Sequence, residues 1–78
     1  MARGIHDDRY RRLIEALYDA RRQVGLSQTE LAQRLGKRQQ FVSKYESGER
    51  QLDVVEFLDI GRVLNLDVSI LVREIPLP

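Results

Sequence analysis

The chain has 78 residues, of which 42% are hydrophobic, 32% charged and none cysteine. This is one domain without room for a second core, and a chain so short buries only about 60% of its unfolded surface, so association would help it. The missing cysteines exclude disulfides, thiol redox chemistry and thiolate metal sites, while the net charge of +1 conceals a divide: residues 1–50 hold 11 Lys/Arg against 7 Asp/Glu, and residues 51–78 hold 2 against 5.

That divide turns the first part of the chain toward an anionic partner. Residues 1–7 read as a short N-terminal arm, with His6 a surface residue rather than a ligand or base. Met1-Ala2-Arg3 is followed by no apolar signal segment, and Ile70-Leu71-Val72 is among the longest apolar runs. Both points argue against secretion and membrane spanning and for a cytoplasmic protein.

Asp7 and Asp8 suit a helix start, as cap and as partner of the helix dipole. Tyr10, Leu13, Ile14, Leu17, Ala20 and Val24 then recur at three- and four-residue steps, a broad apolar stripe. Gly25 ends it. Arg11, Arg12 and Arg22 lie mainly off the stripe, and Arg11 and Arg12 read as a solvated face.

Ser27 and Glu30 form a capping box, and Leu26 with Leu31 a hydrophobic staple, so a second helix opens here. Leu31, Ala32 and Leu35 make its apolar face, and Gly36 supplies a left-handed stop. A third helix must follow at once, since Gln39 to Ser47 holds no breaker and Gly48 ends it. Lys37 and Arg38 precede this helix, and neither side chain can accept a hydrogen bond from its amides. Those amides stay free for a phosphate. Arg38 is placed to reach a phosphate or a base, and the sequence does not choose between them.

At about 100° per residue, Val42, Tyr45 and Glu46 share one side of the third helix, with Phe41 at its flank. Gln40, Ser43, Lys44 and Ser47 share the other, with Gln39 near its edge. A glutamine can pair with N6 and N7 of adenine, and a lysine can reach O6 and N7 of guanine. A helix about 14 Å long with this face fits the major groove of B-DNA. A polar helix face usually just meets water. The capping box and the tight glycine turn before this one favour the groove.

Beyond the polar loop Glu49-Arg50-Gln51, Asp53 and Glu56 form a second capping box. Val54, Phe57, Leu58, Gly61 and Leu64 are expected to face inward, with Gly61 allowing a close helix approach. Asn65 and Asp67 mark a break, and Val68, Leu71 and Val72 suggest a short fifth helix capped by Asp67. Residues 74–78 read as an extended tail. The expected fold is all-α, a compact five-helix bundle over a single domain, 1–78, with its motif at about 27–48.

The stretch Gly25-Leu-Ser-Gln-x-x-Leu-Ala-x-x-Leu-Gly36, followed by Gln39-x-Phe-Val-Ser-Lys-Tyr-Glu-x-Gly-x-Arg50, resembles the Cro and phage-repressor helix-turn-helix family, also called the XRE family of bacterial regulators. The similarity runs on through Leu52-Asp-Val-Val-Glu-Phe-Leu58 to about Leu71. The joint pattern is specific where a lone SQxxLA would not be. The resemblance implies a bundle of the phage-repressor type and a transcriptional regulator, a repressor, bound to double-stranded DNA as a homodimer on a palindromic operator. It implies base reading by Gln39, Gln40, Ser43 and Lys44, and phosphate binding by Gln28, joined by Lys37, Arg38 and Arg50. It further implies that Arg21 pairs with Glu46, whose inward position would make an unpaired carboxylate costly. The usual Ser or Thr cap of the recognition helix is missing here.

Ile70, Val72, Ile75 and Leu77 exceed what a short terminal helix can bury, so some of them cover a partner subunit, the favoured reading, or fold back over the core. The alternative reading is an antitoxin, or a protein-interaction module of a restriction–modification system, with the same fold and a toxin as partner. No nucleophile–base pair, metal-ligand cluster or phosphate-cradling glycine loop is present, so neither an enzyme nor a metal or cofactor is expected.

Overall fold

The computed structural model describes residues 7–76 and shows why the chain breaks where it does. Five helices follow one another: α1 Asp8–Val24, α2 Gln28–Leu35, α3 Gln39–Ser47, α4 Val54–Val63 and α5 Val68–Glu74. No strand occurs among the described residues. Residues 1–6, with His6 and most of the expected arm, and Leu77 of the expected interface lie outside them.

Four of the five helix starts are closed by a side chain. Asp7 accepts from Arg9 N at 2.8 Å. Ser27 and Glu30 exchange hydrogen bonds of 3.0 and 2.9 Å, and Asp53 and Glu56 do the same at 2.7 and 3.0 Å. Asp67 accepts from Ser69 N at 3.0 Å. Each bond satisfies an amide that the helix itself leaves without a partner. Only α3 lacks such a cap: Arg38 stands at its N-cap and makes no side-chain bond there.

Gly36 determines the angle between α2 and α3. Its φ of 69° is the left-handed conformation, and the amide of Lys37 reaches back to Ala32 O at 2.9 Å. A side chain at Gly36 would strain that turn. Helix α2 packs mainly on α3 and α4, and α1 lies against α3. Leu17, Leu31, Val42, Tyr45 and Ile60 are fully buried at the centre, with Ile14, Ala20, Ala32 and Leu64 around them. Phe41 packs edge-on against Tyr45, ring centres 5.7 Å apart.

Three inward assignments need correction. Val24 is half exposed at 50%, because it is the last residue of α1, where the chain turns away from the core. Val54 and Leu58 are 73% and 38% exposed. The buried stripe of α4 runs instead through Phe57, Ile60, Gly61 and Leu64, with Ile60 at its centre. Leu52, in the loop, is also buried, and its amide donates to Tyr10 Oη at 2.9 Å. Helix α5 comes close to α4 at Gly61, where a Cβ would stand 2.6 Å from Val68 Cγ1.

Candidate nucleic-acid interface

The polar face of α3 is held by a chain of hydrogen bonds that begins in the core. Arg21, on the last turn of α1, is buried and donates to both oxygens of Glu46, Nε to Oε2 at 2.7 Å and Nη2 to Oε1 at 3.0 Å. Its third donor meets Leu26 O at 2.9 Å, which ties the α1–α2 turn to the same point. The bonds to Glu46 hold the guanidinium pKa above its ordinary value, against the opposing effect of burial.

Glu46 passes this order outward. Its Oε1 also accepts from Gln28 Nε2 at 2.9 Å, and Gln28 Oε1 accepts from Gln39 Nε2 at 2.8 Å. A carboxylate paired with a guanidinium can only accept, so it dictates that Gln28 turns its N–H₂ inward and its carbonyl toward Gln39. Gln39 must answer with an N–H. Its second N–H and its carbonyl remain available. That pair is the donor–acceptor set that matches N7 and N6 of an adenine in the major groove.

The other face residues are less constrained. Gln40 and Lys44 are exposed. Ser43 and Ser47 are turned back onto their own helix, to Gln40 O at 3.2 Å and Lys44 O at 3.1 Å. The Ser43 hydroxyl thus spends its proton locally and keeps lone pairs to offer, whereas Ser47 also meets Glu49, whose Oε2 lies 3.0 Å away and whose amide donates to Ser47 Oγ at 3.4 Å. Lys37 and Arg38 are exposed beside the uncapped α3 start, with Lys37 Nζ 5.3 Å from the centre of the Phe41 ring. Arg50 stacks over the same ring at 4.9 Å, while its two outer nitrogens hold Glu56 at 2.9 and 2.8 Å. A phosphate at Arg50 must therefore compete with that carboxylate.

The structure thus brings Gln28, Gln39, Arg21 and Glu46 into one network and leaves Gln40, Lys44, Lys37 and Arg38 open to solvent. The link from Gln28 to Gln39 was not anticipated. Its signal in the sequence is two glutamines, each at the first position of a motif helix. The apolar residues assigned to a partner differ in placement: Ile70 and Val72 are 45% and 65% exposed, and Ile75 is half-buried.

Comparison with known proteins bears on the same elements. The helix-turn-helix family model matches residues 17–71. An XRE-family like protein from Pseudomonas syringae pv. tomato str. DC3000, of known structure, is 46% identical. The match covers 91% of this chain and 87% of that one, with a TM-score of 0.83. No curated protein matched the sequence.

The chain belongs to the XRE-type helix-turn-helix family.

As an XRE-type protein it is of the DNA-binding transcriptional-regulator kind, and α2 and α3 are its helix-turn-helix pair. The matched stretch starts in the middle of α1 and ends within α5, so it takes in Arg21 as well as the motif. Its regulators are typically not enzymes. Among the described residues no three acidic or histidine side chains are grouped to hold a metal, and no helix is long and apolar enough to cross a membrane.

Proposed function

We propose that this protein is a cytoplasmic repressor of a bacterium or phage that binds double-stranded DNA as a homodimer on a palindromic operator. Helix α3 lies in the major groove, where Gln39, Gln40, Ser43 and Lys44 meet base edges. Gln28, Lys37 and Arg38 meet phosphates, together with Arg50 once it leaves Glu56. The observation that carries this reading is the relay from Glu46 through Gln28 to Gln39. It holds one half-buried amide in a fixed orientation at the leading end of the polar face of α3. A face that merely met water would have no use for such order.

A single recognition helix spans few base pairs, which is the reason for a second subunit about 34 Å along the duplex. Ile70, Val72 and Ile75 supply apolar surface for it. Val54 and Val55 are 73% and 65% exposed on α4, and this apolar surface is the feature that favours a protein partner such as a toxin as a second reading.

Selection from random DNA tests the first reading. The native protein should return a palindrome, and Gln39→Ala should lose about 1–3 kcal/mol on the best site and relax one base pair in each half. An unchanged motif for Gln39→Ala would remove Gln39 from the reading face. Sedimentation with and without the palindrome tests the dimer, and a monomer protecting one half-site would refute it.

A further inference from the structure

Glu56 closes the start of α4 and at the same time holds a cation that lies beside α3. Its Oε1 accepts from Asp53 N at 3.0 Å, as half of the capping box. Both oxygens accept from Arg50, Oε1 from Nη1 at 2.9 Å and Oε2 from Nη2 at 2.8 Å. The guanidinium stacks over the Phe41 ring at 4.9 Å, and Lys37 Nζ lies 5.3 Å from the centre of the same ring. Phe41 is itself packed edge-on against the buried Tyr45. Two cations from opposite ends of α3 are thus gathered on one anchored ring, beside one carboxylate.

The members of this ion pair are not held alike. Glu56 is fixed by the cap and its side chain is 15% exposed, whereas that of Arg50 is 42% exposed. Arg50 is therefore the partner that can leave. The bonds from Arg50 lower the Glu56 pKa, with smaller help from Asp53 N and the charge of Lys37, so the carboxylate is ionised at neutral pH. It occupies the two donors with which a guanidinium would grip two oxygens of a phosphate. A surface ion pair is weak, and the dense charge of a DNA backbone can displace it. The displacement cancels part of what the new contact supplies.

We propose that Glu56 is an intramolecular stand-in for a DNA phosphate, which keeps Arg50 out of sequence-independent binding to duplex DNA. This rests on the reading above that α3 and its flanks meet DNA. Binding to random sequence comes from counter-ions released as cations take their place on phosphates. A guanidinium already neutralised by a carboxylate releases none while the pair stays closed. Base contacts on an operator fix the backbone beside α3, where a phosphate can take the place of the carboxylate. Glu56 thus lowers affinity for random sequence without entering the relay from Glu46 to Gln39, and base reading supplies a larger share of the total.

Glu56→Gln in the full chain removes the charge and keeps the cap, because glutamine also serves at the third position of a capping box. Native and variant proteins are titrated with a short duplex of random sequence between about 50 and 200 mM salt. The slope of log K against log salt should be steeper for Glu56→Gln by about 0.9, so its advantage should grow about three- to fourfold as salt falls across that range. Adding Arg50→Gln should remove the extra slope. Equal slopes for the native protein and a folded Glu56→Gln would overturn the proposal. So would an extra slope that survives Arg50→Gln, since the charge would then act through the general field. A second measurement needs no variant: the random duplex should shift the Arg38 Nε–H signal in NMR spectra and leave that of Arg50 in place. An equal response from Arg50 would also overturn the proposal. No binding of any duplex by either protein would refute the DNA reading and this inference with it, whereas native binding with equal slopes refutes this inference alone.

Discussion

Replacing Glu46 by Leu should remove more stability than any surface change in the molecule. Both partners of the Arg21–Glu46 pair are more than nine-tenths buried, with side-chain exposures of 8% and 5%. Without the carboxylate, the guanidinium keeps only its bond to Leu26 O at 2.9 Å. An ion left alone in this way costs about 3–5 kcal/mol. A domain of this size is stable by about 4–12 kcal/mol in total, so the loss is at least about a quarter of it. At about 4–8 °C per kcal/mol, Tm should drop by at least about 12 °C. Arg21→Met should behave similarly, since it strands the carboxylate.

The double variant Arg21→Met/Glu46→Leu should recover much of that loss, because an apolar pair has nothing to desolvate. Urea unfolding followed by far-ultraviolet circular dichroism gives all four corners of the cycle. Additive single losses, or singles below about 1 kcal/mol, would refute the view that the two charges depend on one another. The rescue should not extend to DNA. Leu at position 46 offers Gln28 no acceptor, so Gln28 and Gln39 lose their fixed orientation, and selection should return a degenerate base opposite Gln39.

Gly61→Ala should lower Tm although alanine is the better helix former: the new Cβ would meet Val68 Cγ1 at 2.6 Å, and overpacking of that kind costs about 1–3 kcal/mol. Adding Val68→Ala should relieve the clash, and thermal melts of the single and double variants check it. Acid should weaken the fold. Asp7 is held down to about 2 from an ordinary 3.8, chiefly by the Arg9 side chain, while Ser27 lowers Glu30 and Arg50 lowers Glu56. These carboxyls bind protons more weakly folded than unfolded, so their contribution is full above the ordinary carboxylate range and disappears as pH falls toward 2; melts across that range should show the decline, and a flat profile would contradict it. Arg38→Ala should reduce the slope of log K against log salt by about one, whereas Arg50→Ala should reduce it less, because Arg50 is already neutralised by Glu56.

What could be read in advance was local. Asp7, Ser27 with Glu30, Asp53 with Glu56 and Asp67 mark helix starts because a cap is made within three residues, and four of the five helices begin where those residues predict. The burial of α4 was not legible to the same degree. Val54, Val55, Phe57, Leu58, Ile60 and Val63 put apolar groups on nearly every side, so periodicity alone does not select the stripe through Ile60. Packing on α2 selects it. Leu52 stands in a loop, where no periodicity exists, and is buried by its bond to a tyrosine far away in sequence. The tie between Gln28 and Gln39 and the placing of Lys37 and Arg50 on one Phe41 ring beside Glu56 likewise depend on how helices meet, which no single stretch encodes.

The position of Glu46 explains why a buried ion pair persists where two leucines or methionines would pack at less cost. A buried pair is poor evidence of stability. Its value here lies in being polar and one-sided: a carboxylate accepts and never donates while ionised. The direction it imposes on Gln28 is transmitted to Gln39 through an amide that has one end of each kind. A hydroxyl, which can both donate and accept, would break the relay by allowing either orientation. An apolar pair would end it at once. The core of this protein therefore carries order to its surface as well as holding the fold, and Arg21, two helices away from the polar face of α3, determines which atoms of Gln39 point outward.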